Sequence, residues 1–171
     1  MQVIKYIILL LIFLSSSMIG RLLSKKYYYR LEELEEIKNA LNLFKTKIKF
    51  TYSSIPEIFK EIAESSKQNI SKIFENTVHN LKNMPATEAW NKAIDETKEN
   101  TNLNEEDIKI IKGLSKQLGI TDIEGQISQI DITQNFLDTQ IRQAQEEKEK
   151  NQKLYQKLGT TIGLVIVILL V

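Results

Sequence analysis

Apolar residues are concentrated at the two ends of this chain, and polar residues dominate its middle. The segment from Tyr6 to Gly20 carries no charge and consists mostly of Ile and Leu. The segment from Leu158 to Val171 also carries no charge. Between them, apolar residues recur at the three- and four-residue spacing of amphipathic helices. The pattern predicts two membrane spans that flank a helical domain.

The first apolar segment is long enough to cross a bilayer. A hydrocarbon core of about 30 Å requires roughly 20 helical residues, and a helix from Met1 to Leu23 would reach about 34 Å. Lys5 and Arg21 lie near opposite edges, from which both side chains can extend outward. A cleaved signal peptide ending near Ser15 is the alternative, but the basic residues that follow at once oppose translocation. We predict a span over residues 1–24.

The second apolar segment is shorter. A helix from Leu158 to Val171 reaches about 21 Å, which is too short for a bilayer core. A start at Leu154 gives about 27 Å, provided that Lys157 extends toward the headgroups. We therefore predict a span over residues 154–171, and a tail that is only half inserted stays open as the alternative.

Basic residues flank the middle of the chain on both sides. Such residues mark the cytoplasmic side of a span, so residues 25–153 are predicted to form a cytoplasmic domain. Four tyrosines occupy positions that an interfacial aromatic belt would occupy: Tyr27, Tyr28, Tyr29 and Tyr155. Packing between helices would explain their positions equally well. The basic residues are Lys25, Lys26 and Arg30 after the first span, and Lys148, Lys150, Lys153 and Lys157 before the second.

The middle segment predicts an all-α fold: a compact cytoplasmic bundle of about six helices. The first helix runs without a break from Tyr6 to about Tyr52, and the last continues into the second span, so transmembrane helices continue the first and last bundle helices. Capping residues or proline open the helices between them. The predicted starts are a capping box at Ser54–Glu57, Asn69, Pro85, a cap at Asn104 and a capping box at Thr121–Glu124; the fifth helix ends at Leu118 before Gly119.

Several side chains are assigned to the core or to solvent from this spacing. Trp90 is predicted to be a core anchor, with a ligand platform as the second reading. Residues 143–153 are polar all round, which predicts a solvent-exposed stalk. The inward residues of the last helix are Ile127, Ile130, Phe136, Leu137 and Ile141; the solvated ones are Glu32, Glu33, Glu35 and Glu36, together with Lys45, Lys47 and Lys49 unless these lysines meet acidic lipid or an acidic partner.

The residues that carry chemistry are few. A net charge of +1 argues against nucleic-acid binding, and the absence of Cys excludes thiolate chemistry. Glu75 and His79 are spaced to share one helix face and could hold a metal, but a pair of this kind is usually a surface contact. We therefore predict no catalytic, cofactor-binding or metal site, and no enzyme activity.

The order of certain motifs resembles a known family. These motifs include Ile55-Pro56-Glu57, then Glu88-Ala89-Trp90, then Leu118-Gly119, and finally Tyr155-Gln156-Lys157-Leu158-Gly159 before Gly163 and an aliphatic tail. Over nearly its whole length the chain resembles the stage III sporulation protein AB family of endospore-forming bacteria. One departure is Lys47, where the family usually carries an acidic residue, so an inherited acidic contact at this position is in doubt.

The resemblance implies a function that composition alone does not indicate. It implies a non-enzymatic membrane platform or scaffold in the secretion-like channel that links mother cell and forespore, in the mother-cell (outer forespore) membrane. The domain would be similar to the cytoplasmic domain of the type II secretion system F platform protein. Implied partners are other stage III sporulation channel proteins, including a cytoplasmic ATPase, and further copies of the chain. A membrane-tethered sensor or signalling adaptor is the alternative.

Overall fold

Six α-helices account for most of the residues that the structure describes. The computed structural model describes residues 2–51 and 53–170, and the side chains at positions 2, 3, 5, 68 and 156 lie outside this description. No strand occurs in the described part of the chain, which confirms the all-α class. The prediction for Lys5 concerns a side chain outside this description, and Tyr52 lies outside the described residues. The helices are α1 (Gln2–Phe50), α2 (Ile55–Ser65), α3 (Gln68–Asn80), α4 (Ala86–Thr97), α5 (Glu105–Gly113) and α6 (Ile123–Leu170).

Contacts between residues divide the chain into two units. The central unit comprises Glu32–Arg142. The terminal unit comprises Met1–Leu31 together with Gln143–Val171. The predicted boundaries at residues 24 and 154 concern insertion into a membrane, and they stay predictions.

An aromatic cluster forms the core of the central unit. Four aromatic side chains, one from each of the first four helices, are almost completely buried: Phe44, Phe59, Phe74 and Trp90. The centroids of neighbouring rings lie 5.0–5.6 Å apart. Such pairs stabilise a core by about 0.5–1.5 kcal/mol each beyond the area that they bury. The indole Nε1–H of Trp90 donates to the carbonyl of Ile111 at 2.9 Å, which ties α5 to the cluster. The prediction that Trp90 is a core anchor is confirmed.

Two of the predicted capping signals are confirmed. At the start of α2, the Glu57 carboxylate accepts a hydrogen bond from the backbone N–H of Ser54 at 2.9 Å, and this bond lowers the pKa of Glu57. At the start of α5, the Asn104 side chain accepts from the N–H of Asp107 at 2.8 Å, and the Asp107 carboxylate accepts from the N–H of Asn104 at 2.9 Å. Both helices therefore begin where local chemistry satisfies their free N–H groups.

The third capping prediction is wrong by one residue. The N-cap of α6 is Asp122, whose carboxylate accepts from the N–H of Gly125 at 2.9 Å, whereas the Thr121 hydroxyl donates to the carbonyl of Gln117 at 3.3 Å. The third helical position is then Gly125 instead of Glu124, so no side chain closes a capping box. A Cβ at Gly125 would lie 2.8 Å from Thr121 Oγ1, so only glycine leaves this cap undisturbed.

The fifth helix ends at Gly113 and not at Leu118 as predicted. The chain continues as a 3₁₀ turn, because glycine has a low helix propensity and the Ser115 hydroxyl donates to the carbonyl of Lys112 at 2.8 Å, in competition with the helical ladder. Gly119 then adopts a φ of +71°, the left-handed conformation that glycine adopts readily.

Glu33 does not lie on a solvated face, contrary to the prediction for the acidic segment of α1. Its side chain is buried, and the residue is 6% exposed. Its Oε1 accepts from the side-chain amides of Asn69 at 2.9 Å and Asn102 at 3.1 Å, and its Oε2 accepts from the backbone N–H of Asn102 at 2.6 Å. One carboxylate thus holds the start of α3 and the loop before α5 against α1.

Two other carboxylates of the acidic segment also contact the chain. Glu32 binds the ammonium group of Lys67, and Glu36 accepts a hydrogen bond from the backbone N–H of Lys67. Glu35 is exposed, as predicted. The acidic segment therefore fixes the connection between α2 and α3, which a spacing argument based on apolar residues alone does not detect.

Two of the three lysines predicted to be solvated form ion pairs within the central unit. Lys45 Nζ lies 2.5 Å from a carboxylate oxygen of Asp131 on α6, and Lys47 Nζ lies 2.5 Å from one of Glu61 on α2. The Lys49 ammonium lies 5.3 Å from the ring centroid of the following phenylalanine. Partly exposed pairs stabilise by only about 0–1 kcal/mol each, so they chiefly orient the helices.

The face that α6 turns toward the core differs from the prediction. Phe136 is 57% exposed and Ile132 is 46% exposed, and Ile127 and Ile141 are only partly buried. Ile130 and Leu137 are buried as predicted. The buried residues of α6 in the central unit are Gln126, Ile130, Thr133, Gln134, Leu137 and Gln140.

A line of polar contacts between α1 and α6 explains why α6 turns a different face toward the core. Gln134 Nε2 donates to Asn42 Oδ1 at 2.8 Å. The ion pairs Lys38–Asp138 and Lys45–Asp131 join the same two helices. We call these three contacts the polar seam. Because the seam needs the polar side of α6 to face α1, the apolar residues at 132 and 136 point away.

Candidate functional site

The one candidate pair for metal chemistry does not form part of a larger cluster. Glu75 and His79 lie on the exposed side of α3, and the Glu75 carboxylate accepts a hydrogen bond from the Ser71 hydroxyl at 2.8 Å. Among the residues that the structure describes, no group of three or more His, Cys, Asp or Glu side chains could hold a metal.

Small residues bring α1 and α6 into backbone contact in the terminal unit. A Cβ at Gly20 would lie 2.6 Å from the carbonyl oxygen of Tyr155 and 2.9 Å from the Cα of Gly159. The Ser16 hydroxyl donates to the carbonyl of Gly159 at 2.8 Å, and a Cβ at Gly163 would lie 3.1 Å from the Cβ of Ser16. Small residues four apart on each helix are the usual means of close approach between helices in a bilayer.

Aromatic and charged side chains continue the contact beyond the glycines. The rings of Tyr27 and Tyr155 stack with centroids 5.8 Å apart. Arg30 Nη1 lies 2.7 Å from Glu147 Oε2, and the Arg30 side chain is only 5% exposed. Since residue numbers rise along α1 as they fall along α6, the two helices of this unit run antiparallel.

The predicted solvated stalk at residues 143–153 is partly wrong. Ala144 is buried, Glu147 binds Arg30, and the Lys148 ammonium lies 5.1 Å from the ring centroid of Tyr28. A polar segment can thus be held by one small residue and directed charge contacts, without an apolar stripe.

The close contact between α1 and α6 was not predicted from the sequence. The signal for it is the four-residue spacing of small residues, at 16 and 20 and at 159 and 163.

The outward surface of the terminal unit is apolar at the end away from these charges. Both α1 and α6 contain a segment long and apolar enough to cross a membrane, by length and composition. The following large apolar residues are each at least 43% exposed: Ile4, Tyr6, Ile7, Ile8, Leu10, Leu11, Leu14, Met18, Ile19, Leu22 and Leu23 on α1, and Leu158, Ile162, Leu164, Val165, Ile168, Leu169 and Leu170 on α6. Patches of this extent on a protein mark a membrane or protein interface.

Comparison with known proteins identifies the family. The family model described as stage III sporulation protein AB matches residues 5–171. The chain belongs to the stage III sporulation protein AB family. Stage III sporulation protein AB from Bacillus subtilis (strain 168) is 23% identical over 150 residues, which cover 86% of this chain and 88% of that relative. Membership in the family implies a role in sporulation.

The fold is also found in a solved structure. A structure of stage III sporulation protein AB superposes with a TM-score of 0.66 at 19% sequence identity. The match covers 70% of this chain and 96% of that one. At this identity the likeness concerns the fold, and it agrees with the all-α class.

Proposed function

We propose that this chain is a two-span membrane protein that serves as a non-enzymatic platform in the channel assembly joining mother cell and forespore. Residues 1–24 and 154–171 cross the mother-cell (outer forespore) membrane, and residues 25–153 lie in the cytoplasm. The partners are other stage III sporulation channel proteins, a cytoplasmic ATPase among them, and further copies of the chain.

The observation that carries this proposal is the arrangement of the terminal unit, in a chain that belongs to a sporulation family. Two apolar helices pack through glycine and serine and present apolar side chains outward, and beyond the apolar segment the buried Arg30 pairs with the half-buried Glu147. Paired spans of this kind hold a domain at a membrane surface and add no chemistry of their own. The basic residues Lys25 and Lys26, both exposed, favour the cytoplasmic side for the attached domain.

Membrane orientation is open to a direct test, because the chain contains no Cys. A cysteine introduced at Asn83, which is exposed in the turn after α3, should resist a membrane-impermeant maleimide in intact cells and react after permeabilisation. A cysteine at Leu169, near the far end of α6, serves as the matched position and should react from outside. Labelling of Asn83 in intact cells would contradict the cytoplasmic placement.

The platform role is tested by co-purification. The tagged chain, crosslinked in sporulating cells during engulfment, should recover other stage III channel components, and an unrelated tagged two-span protein should not. In parallel, His79→Ala should leave spore yield unchanged, because the platform uses no side-chain chemistry. Recovery of no channel component, or loss of spores in the His79→Ala strain, would count against the proposal.

A further inference from the structure

An open groove runs along the central unit between α5 and α6. Its volume is about 890 Å³, and Ile110, Gly113, Ile132 and Phe136 contribute to its lining. At Gly113 the groove is wide, since no atom lies within 4 Å of the position that a Cβ would take. The α6 segment along it, from Gln129 to Gln140, spans about 17 Å. We call this feature the α5–α6 groove.

The exposed apolar residues of α6 line this groove. Ile132 and Phe136 are four residues apart, so their side chains lie next to each other on one helix face. Both are about half exposed. Single exposed apolar residues are ordinary, but neighbouring ones that line a groove mark an interaction surface.

The charges of the groove are mostly positive. Its lining includes Lys109, Lys112 and Lys116 against the single carboxylate of Glu106. Lys112 is neutralised by Asp95, at 2.6 Å. Lys109 and Lys116 form no ion pair with any residue that the structure describes, so both charges are available to an acidic occupant.

From these features we infer that the α5–α6 groove is the docking site for an acidic amphipathic helix of a partner protein. Apolar residues at i and i+4 would pack on Ile132 and Phe136, and flanking carboxylates would meet Lys109 and Lys116. A helix of about eleven residues matches the length of the groove. The inference rests on the proposed platform function, whose partner proteins it locates on the chain.

Two other occupants fit the surface less well. A second copy that used the same surface would bring the lysines of both copies together, and like charges oppose such a contact. An anionic bilayer would match the charge, but insertion requires apolar side chains that project outward, and Ile132 and Phe136 line a concave surface.

A site-specific photocrosslinker tests the inference in the full chain. With p-benzoylphenylalanine in place of Phe136, sporulating cells should yield an adduct with another protein, mapped by mass spectrometry to a helical segment with more Asp and Glu than Lys and Arg. The same crosslinker at Phe50, which is 69% exposed and lies outside the groove, is the matched control and should not yield that adduct.

Charge reversal separates docking from chance proximity. Lys109→Glu together with Lys116→Glu should reduce the adduct about fivefold or more, since two charge pairs become repulsive. Reversal of two exposed lysines outside the groove lining, Lys60→Glu with Lys82→Glu, should leave it unchanged. An adduct with a second copy, with lipid or with a basic segment would overturn the inference.

The remaining outcomes distinguish this inference from the platform proposal. If channel components co-purify but Phe136 yields no adduct, the groove assignment fails and the platform stands. If Phe136 yields an acidic helical adduct from a protein outside the stage III assembly, and no channel component co-purifies, the platform fails and the groove assignment stands.

Discussion

Gly20 and Gly159 hold the backbones of α1 and α6 together in the terminal unit, and a methyl group on either should force the helices apart. An alanine at Gly20 would place its Cβ 2.6 Å from the carbonyl oxygen of Tyr155, and one at Gly159 would place it 2.9 Å from the Cα of Gly20. Since heavy atoms in ordinary contact lie about 3.5 Å or more apart, the helices must separate by roughly 0.6–0.9 Å.

The cost follows from that separation. Overpacking of a close contact destabilises by about 1–3 kcal/mol. The hydrogen bond from Ser16 to the Gly159 carbonyl, now 2.8 Å, would also lengthen, and interhelical bonds of this kind stabilise by about 0.6 kcal/mol in a membrane. We expect each substitution to cost about 1–3.5 kcal/mol. The double variant should cost less than the sum, because the first methyl group has already opened the shared contact.

Unfolding in mixed micelles with increasing dodecyl sulfate measures this cost. The helices persist in that denatured state, so the higher helix propensity of alanine largely cancels. A donor and acceptor dye on cysteines introduced at Ser15 and Thr161, both exposed, would report helix separation. Gly113→Ala is the control, because its Cβ meets no atom within 4 Å. If Gly20→Ala and Gly159→Ala shift the midpoint no more than Gly113→Ala does, the close packing of α1 on α6 is refuted.

Three further predictions concern the central unit. Glu33→Ala should destabilise it by about 2–4 kcal/mol, because three half-buried N–H donors of Asn69 and Asn102 lose a charged acceptor. Urea unfolding followed by Trp90 fluorescence measures this, and Glu35→Ala, at an exposed position, should change stability by less than about 0.5 kcal/mol. Trp90→Ala should cost about 3–5 kcal/mol through loss of the aromatic core. Trp90→Phe should cost less, about 1–3 kcal/mol, for its hydrogen bond and the smaller ring; thermal unfolding by circular dichroism distinguishes the two. The hydrogen bond from Lys112 lowers the pKa of Asp95 in the folded protein. The stabilisation from this bond is therefore present above the pKa that Asp95 has in the unfolded chain, and it disappears as the pH falls through the lower pKa of the folded protein. Lys112→Met should therefore make stability less steeply dependent on pH in the acid range, and an unchanged profile would contradict the assignment.

Local chemistry explains why most of the fold could be predicted. Helix starts at Ser54 and Asn104 depend on side chains within three residues of each other, so a capping box is visible in the sequence. The core position of Trp90 follows from its place among apolar residues of one helix. In each case the physical cause is contained in a few consecutive residues.

The predictions that failed depend on contacts between distant segments. Glu33 is buried because Asn69 and Asn102, far away in sequence, supply its hydrogen bonds. Glu147, in the segment predicted to be a solvated stalk, is held because Arg30 lies opposite on another helix. A charged side chain in a helical pattern is assigned to solvent unless its partner is known, and one sequence does not reveal such partners. The four-residue spacing of small residues in the terminal unit, by contrast, is visible in the sequence, and it predicts close packing of the two helices.

The exposure of Phe136 follows from a near balance of energies that no hydropathy pattern can resolve. Rotation of α6 to bury this side chain would gain at most about 1.5–3 kcal/mol. The polar seam opposes it with one amide hydrogen bond, worth about 0.5–1.5 kcal/mol, and two partly exposed ion pairs, worth about 0–1 kcal/mol each. The two sums are similar, so the amount of buried area does not decide the rotation. The seam does, because hydrogen bonds and ion pairs are satisfied at one rotation only, whereas burial of apolar area has no preferred direction. The same contacts that hold α6 on α1 therefore leave the apolar side of α6 open to a partner.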